Sequence, residues 1–381
     1  MGQNIAPFQA IAISRRAHEL KAAGQRILHM EFGQPSTGAP KGAIAAAHHV
    51  LDSEAMGYWE SLPLKERICR HYREGFGVEL SPRRMVITCG ASPALVLALS
   101  TAFNPGDRIA MARPGYVAYR NTVRALNLEP VEIACRPEVR FQLSAAALDA
   151  LEPAPQGVII ASPANPTGTI IPKEELAAIA EVCQRRGIRI ISDEIYHGLS
   201  YGPKIHSMLE FAPGAYVVNS FSKYFSMAGW RLGWLVSPEE GVARTNAYIG
   251  NLFLTAPSLA QHAGLIAMDS RDELEGHLAV YRKNRALLLE ALPRLGLDNI
   301  APPDGAFYIY ADVSRFTDDS LGFCLKLLEE TGVATAPGVD FDPVDGGRFM
   351  RFSFALSTPE IEEALARLEP WFAAQPARQT A

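Results

Sequence analysis

GVIIASPANPTG (157–168) and IRIISDEIYHG (188–198) each open on an apolar, β-branched run and end in small polar residues. Between them, KEELAAIAEVCQRRG (173–187) sets Leu176, Ile179, Ala180 and Cys183 at helical spacing and closes on Gly187, a C-cap signal. Strand, helix and strand in that order, with the strands apolar on both faces, predict parallel strands covered by helices on each side.

The same alternation extends outward from about residue 85 to 236. Further strand runs are MVIT (85–88), RIAMA (108–112), VEI (131–133), YVVN (216–219) and LGWLV (232–236), and PALVLALSTAF is helix-compatible. The expected fold class is α/β, with a large domain whose mainly parallel sheet has about seven strands. A helix-patterned region follows at about 245–295. FYIYA (307–311), VATAP (333–337) and RFMRFSFA (348–355) then predict strands of a smaller α+β domain, closed by the helix PEIEEALARLEPWF. ISRRAHELKAAG has a single apolar face, so the first forty residues are expected to pack on that smaller unit. The expected division is an N-terminal arm and small-domain segment (1–40), a large domain (41–285) and a small C-terminal domain (286–381).

A chain of 381 residues, 48% hydrophobic and 20% charged, can bury a sizeable core. A net charge of −5 gives no reason to expect nucleic acid as a partner. Five scattered cysteines without a CxxC argue against a disulfide framework or zinc cluster and predict a reducing cytoplasm. The opening MGQNIAPFQAIAISRR lacks a basic start, and Pro7 interrupts its apolar stretch, so no signal peptide is expected. Ala6 stands where acylation of Gly2 would need Ser or Thr. Met85–Gly106 and Thr245–Met268 carry no charge, but their Gly, Pro, Asn and Gln residues favour a buried strand–turn–helix and a buried helix over membrane spans.

Ligands of open parallel sheets bind beyond the carboxyl ends of the strands. The segments in that position are GAS (90–92), RPGY (113–116), SPANPTG (162–168), SDEIYHG (192–198) and NSFSK (219–223). Lys223, with Ser220, Ser222 and Arg231 around it, offers a reactive amine inside a phosphate cradle. Asp193 suits the role of holding a heterocyclic nitrogen protonated, or that of a helix cap. Tyr196 and Asn165 can donate to a ring oxygen, although NPTG is also a good β-turn. Glu194 is expected on the opposite side of its strand end. Free N–H groups of Ala91 and Ser92 at a helix start can hold a phosphate or simply begin the helix. Tyr116 can lie on an aromatic ligand or pack in the core. Arg351 can clamp a carboxylate; the alternatives are an exposed edge-strand charge, or Arg348 as the clamp.

The series Gly33-Gln34-Pro35, Tyr58, GAS, RPGY, NPTG, SDEIY, SFSK…GWRLGW and RFSFA, from about residue 30 to 360, resembles a class I/II aminotransferase of fold type I. The resemblance implies pyridoxal 5′-phosphate as cofactor, L-amino acids and 2-oxo acids as substrates, and a homodimer with shared sites. It implies that Lys223 is the Schiff-base lysine and proton shuttle, that Asp193 pairs with the pyridine nitrogen, and that Asn165 and Tyr196 bond the ring oxygen. Tyr116 would stack on the ring. Ala91, Ser92, Ser220, Ser222 and Arg231 would bind the phosphate, and Tyr58 would reach the phosphate of the other subunit. Arg351, helped by Gly33 and Asn165, would hold the substrate carboxylate.

The resemblance has gaps. Ser61 stands where relatives usually have glycine, leaving the local backbone and the reach of Tyr58 open. Ala91-Ser92 replace the lysine that some relatives favouring acidic substrates carry. The side-chain pocket is expected to draw on the N-terminal arm, with Phe8, Ile11 and Ile13 as candidates, on Trp59 and on the partner subunit, and the apolar character of these residues favours neutral or aromatic substrates. A C–S β-lyase on the same fold is the alternative activity. Ser220-Phe221-Ser222-Lys223 also spells the SxxK of serine β-lactamases, but neither SDN nor KTG occurs. A cofactor-sensing DNA-binding module would be expected to need more chain before Gly33 than this sequence has.

Overall fold

The computed structural model describes residue 5 and residues 7–378. Gly2 and Ala6, the positions weighed for acylation, lie outside the described residues. In chain order the first elements are α1 (Gln9–Ala22), β1 (Leu28–His29), α2 (Lys41–Ser53), α3 (Leu62–Phe76), β2 (Met85–Thr88), α4 (Ala91–Ala102) and β3 (Arg108–Arg113). Next come α5 (Val117–Ala125), β4 (Glu129–Ala134), α6 (Ala145–Asp149), β5 (Gly157–Ala161), α7 (Lys173–Arg186), β6 (Arg189–Asp193) and β7 (Tyr216–Ser220). The remainder are β8 (Gly233–Val236), α8 (Val242–Leu252), α9 (Ser258–Ala267), α10 (Arg271–Ala291), β9 (Tyr308–Asp312), α11 (Ser320–Thr331), β10 (Val333–Ala334), β11 (Ala336–Pro337), β12 (Phe349–Ser353) and α12 (Thr358–Ala373).

Seven strands form one sheet in the order β2-β8-β7-β6-β5-β3-β4, all parallel except β8. Apart from the edge strand β4, its strands are largely buried on both faces because α2, α3, α7 and α9 contribute to one core and α4 and α5 to the other. The expected strands and the α7 helix with its Gly187 cap are all present, Gly187 at φ 68°. The inverted strand matters for the site. Since β8 runs against β7 and β2, its first residue, Gly233, pairs with Ser220 and Thr88 at their carboxyl ends. Arg231, just before β8, is thereby delivered to the same edge as the residues that follow β2, β5, β6 and β7.

The second core lies under the three-stranded sheet β11-β12-β9. It takes in Ile13, Ala17 and Leu20 from α1, and β1 pairs in parallel with β10, so the N-terminal segment packs here as its amphipathic pattern predicts. One helix, α10, runs from core to core, with Leu274 in the first and Leu278, Tyr281 and Leu288 in the second.

Two expectations are corrected, and one alternative is set aside. VATAP is two short strands with different partners: β10 joins β1, and β11 joins β12. The uncharged stretch Thr245–Met268 is not one buried helix; α8 ends at Leu252 and α9 starts after Pro257, with Leu252 and Leu254 exposed at the break. Arg351 is not an edge-strand charge, because β12 is the central strand of its sheet and Arg351 is 2% exposed. Among the described residues no helix is long and apolar enough to cross a membrane, all five cysteines are free, and no cluster suited to a metal ion occurs.

Candidate active site

A cavity of about 660 Å³ opens between the carboxyl edge of the large sheet and β12. Lys223, Asp193, Tyr196, Asn165, Tyr116, Ala91, Ser92, Ser222, Arg231, Gly33 and Arg351 all line it. They come from both sheets and from positions far apart in the chain, which is what the strand-end argument requires.

Lys223 follows β7 and sends its side chain across the cavity, where Nζ donates to the carbonyl oxygen of Gly33 at 2.5 Å. Burial, together with the positive charges of Arg351 and Arg231, lowers its pKa to about 8, against the opposing pull of Asp193. A lysine with such a pKa is a usable nucleophile and base near neutral pH.

Asp193 ends β6, and its carboxylate is buried. Oδ2 accepts from the Tyr119 hydroxyl at 2.6 Å and Oδ1 from the Ile195 N–H at 3.1 Å. Burial raises its pKa, while these two donors and Lys223 act in the other direction. The carboxylate is thus held in one orientation by donors that favour its charged form. Its neighbour Glu194 does point away from the cavity, as expected, into a buried nest of Ser192, Ser207 and the Met208 N–H.

At the start of α4 no side chain caps the helix, so the first-turn N–H groups of Ala91 and Ser92 are free to meet an anion. Ser222 lines the cavity beside them. Ser220 does not: it is buried behind, its hydroxyl donating to Ser222 Oγ and accepting from the Ser222 N–H, at 2.9 and 3.1 Å. Arg231 completes this corner with a left-handed backbone (φ 54°) and bonds to the carbonyls of Cys89 and Ala228.

Arg351 faces them from β12. Nη1 donates to Asn165 Oδ1 at 2.8 Å and Nη2 to the Glu31 carbonyl at 2.5 Å. Its Cζ lies over the rings of Tyr308 and Phe341, at 4.4 and 4.7 Å from their centroids. Nε is buried without a partner. A guanidinium this fixed can present an edge to a carboxylate. Arg348, the rival, sits in the turn before β12 and pairs with Asp345 at the surface.

The predicted side-chain pocket needs correction. Phe8 lines the cavity, but Ile13 belongs to the core beneath α1, Ile11 is exposed, and Trp59 stacks on His262 at 4.4 Å. Phe32, Leu95, Val96 and Phe253 line the cavity beside Phe8. Tyr58 is 85% exposed and does not enter the cavity of its own chain. Ser61 resolves the doubt about its backbone: at φ −75° it has no need of glycine, and its hydroxyl caps α3 by accepting from the Leu64 N–H.

The sequence profile of the class I and II aminotransferase family matches residues 27–368, nearly the whole of the described chain. The chain belongs to that family. This aminotransferase is 46% identical to a valine–pyruvate aminotransferase of Mycobacterium tuberculosis over 97% of each chain. It is similar to the crystal structure of an aminotransferase from that organism, with a TM-score of 0.95 over 98% of both chains. The aspartate aminotransferase of Thermus thermophilus with maleate is a more distant neighbour: 30% identity, a TM-score of 0.91, and coverage of 97% of this chain and 99% of that one.

Two cavity-lining tyrosines of the aminotransferase escaped sequence reasoning. Tyr119 bonds Asp193, and Tyr308 lies against Arg351 with its hydroxyl 2.8 Å from that of Tyr196. Tyr119 is one helical turn from Tyr116, which would have placed both on one face; nothing local singles out Tyr308.

Proposed function

We propose that this aminotransferase works with pyridoxal 5′-phosphate held in the 660 Å³ cavity and transfers the amino group of a neutral L-amino acid to a 2-oxo acid. The observation that carries this reading is Lys223, whose amine lines one cavity with Asp193 and Arg351 and reaches the Gly33 carbonyl. The residues present fit the cofactor: a hydrogen-only position at Gly90 beside Arg231, uncapped N–H groups at 91 and 92, a buried carboxylate for a ring nitrogen, and hydroxyl and amide donors for a ring oxygen.

When bound, the cofactor supplies an electrophilic carbonyl and a ring that accepts electron density. The chain's own residues do the rest. Ala91, Ser92, Ser222 and Arg231 bind the phosphate, with Ser220 fixing Ser222. Asp193, oriented by Tyr119, would hold the ring nitrogen protonated; Asn165 and Tyr196 would donate to the ring oxygen, and Tyr116 would pack against the ring. Arg351 grips the substrate carboxylate beside Gly33. Lys223, unprotonated for a useful fraction of the time near neutral pH, accepts the proton of the substrate α-carbon and returns it on the other side of the transfer. Two half-reactions sharing one site give ping-pong kinetics.

Charge supports a neutral side chain. The cations lining the cavity among the described residues are Lys223, Arg231 and Arg351, and each already has an assignment. None of this chain's own cations there is left for a second carboxylate, whereas its Phe8, Phe32, Leu95, Val96 and Phe253 are apolar. The relative named valine–pyruvate aminotransferase, at 46% identity, supports valine and pyruvate as one donor–acceptor pair.

A homodimer belongs to the same proposal. Tyr58, with exposed Met56 and Leu62 on either side, is set for a second copy, where its hydroxyl reaches that copy's phosphate. The free cysteines accord with a reducing cytoplasm. We place the domain division near residues 40 and 285.

The test is the visible absorption of the purified enzyme, loaded with pyridoxal phosphate, against a panel of L-amino acids. Loss of the visible band with valine and similar residues, and its return with pyruvate, is expected. No chromophore after loading, or full turnover by Lys223→Ala, would overturn the reading. Release of pyruvate and ammonia without an acceptor would replace transfer by β-elimination.

A further inference from the structure

Tyr308 touches both halves of the site. Tyr310 pairs with Arg351 across β9 and β12, so Tyr308, two residues earlier, lies on the same face and diagonally next to the arginine. Its ring therefore backs the guanidinium at 4.4 Å, while its hydroxyl extends beyond to within 2.8 Å of the Tyr196 hydroxyl. The hydroxyl also occupies the space a Cβ at position 33 would need, which ties the glycine under Lys223 to this tyrosine. Tyr308 is buried yet lines the cavity.

We propose that Tyr308 is a positioning residue with two separable duties: its hydroxyl donates to Tyr196, and its ring keeps the Arg351 fork in the plane that receives the substrate carboxylate. The inference rests on the cofactor reading above. Two hydroxyls in contact share one proton between their oxygens. If Tyr196 gave that proton, none would remain for a ring oxygen; only when Tyr308 donates does Tyr196 keep its own. Burial holds both phenols above their ordinary pKa, so both stay protonated donors through the working pH range. Chains of this kind polarise one another and strengthen the terminal donor. Arg351, for its part, is held by hydrogen bonds to Asn165 and the Glu31 carbonyl and by contact with the rings of Tyr308 and Phe341. Without the Tyr308 ring, the guanidinium loses the nearer of these two ring contacts.

Two variants separate the duties. Tyr308→Phe keeps the ring and loses the donor; Tyr308→Leu loses both. The readouts are the pH midpoint of the visible absorption change of the pyridoxal-phosphate-loaded enzyme, and the Kd of 3-methylbutanoate, valine without its amine, by calorimetry. A donor to an oxyanion favours the deprotonated form, so weakening the Tyr196 donor by removing the hydroxyl that polarises it lets the acidic form persist to higher pH. Tyr308→Phe is expected to raise the midpoint by roughly half to one unit and to leave Kd within about twofold. Tyr308→Leu is expected to shift the midpoint equally and weaken Kd about tenfold, within the range of a desolvated cation–π contact. An unmoved midpoint in Tyr308→Phe, or equal weakening of Kd in both variants, overturns the proposal. Tyr308→Phe carries the first comparison alone if the leucine variant unfolds. A wild-type enzyme with no chromophore overturns the cofactor reading together with this proposal; a normal wild-type spectrum with an unmoved Tyr308→Phe overturns this proposal alone.

Discussion

Arg231 Nη2 occupies the space that a Cβ on residue 90 would fill, so the two residues fit only because position 90 is glycine. Gly90 also has φ +96°, which a side chain would strain independently. Together these set the guanidinium against the uncapped start of α4, where Ala91 and Ser92 present their N–H groups. Gly90→Ala must displace Arg231 or the helix start, at about 1–3 kcal/mol of backbone strain. Affinity of the apoenzyme for pyridoxal phosphate is expected to fall roughly 10- to 100-fold, measured by titration of protein fluorescence. Unchanged affinity would remove Arg231 from the phosphate site.

That corner of the site was legible because its residues sit at strand ends, where apolar runs stop and polar chemistry begins. Lys223, Asp193 and Asn165 each follow a buried strand and need no knowledge of tertiary pairing to be suspected. Tyr308 lies inside a strand, where a tyrosine reads as core until the pairing of Tyr310 with Arg351 is known. Ile13 failed for a related reason: the pattern of α1 shows an apolar face but not whether the cavity or the core lies beneath it. Arg351 was legible as a residue, while its burial was not, since only the sheet order makes β12 central.

Arg351→Lys tests the fork instead of the charge. Lysine keeps the cation but has no planar pair of donors, and it leaves Asn165 and the Glu31 carbonyl without the two bonds they now accept. KM for the amino acid is expected to rise about 10- to 100-fold, the loss of about 1.5–3 kcal/mol for a charged hydrogen bond, with a smaller fall in kcat. Steady-state kinetics with a good donor checks this. Equal KM with a depressed kcat would mean that Arg351 does not hold the ground-state carboxylate.

Ser61 is expected to matter for stability and not for the reach of Tyr58. Its hydroxyl caps α3, and its N–H donates to Gln261 Oε1 at 2.8 Å, a bond that any residue except proline would keep. Ser61→Ala should cost about 1 kcal/mol in urea denaturation and Ser61→Gly only a few tenths, both with normal cofactor affinity. A loss of affinity in Ser61→Gly, the residue usual in relatives, would show that the backbone here does govern Tyr58.

Lys223 gives a pH dependence whose sign is set by the direction of its shift. In the unfolded chain the amine stays charged to about pH 10.4, while burial and the two arginines lower it to about 8 in the folded apoenzyme. Between those values the unfolded chain holds more protons, so this group makes the apoenzyme more stable as pH rises through that window. Below pH 8 both states are charged, and the cost of burying the charge is fully present. Urea denaturation of the apoenzyme at pH 7.5 and 9.5 should therefore show wild type gaining on Lys223→Met at the higher pH. The uptake of pyridoxal phosphate, which needs the neutral amine, should accelerate over the same titration and level off above about pH 8, well short of an ordinary lysine. A rate still climbing at pH 10 would mean that the cavity does not perturb this lysine.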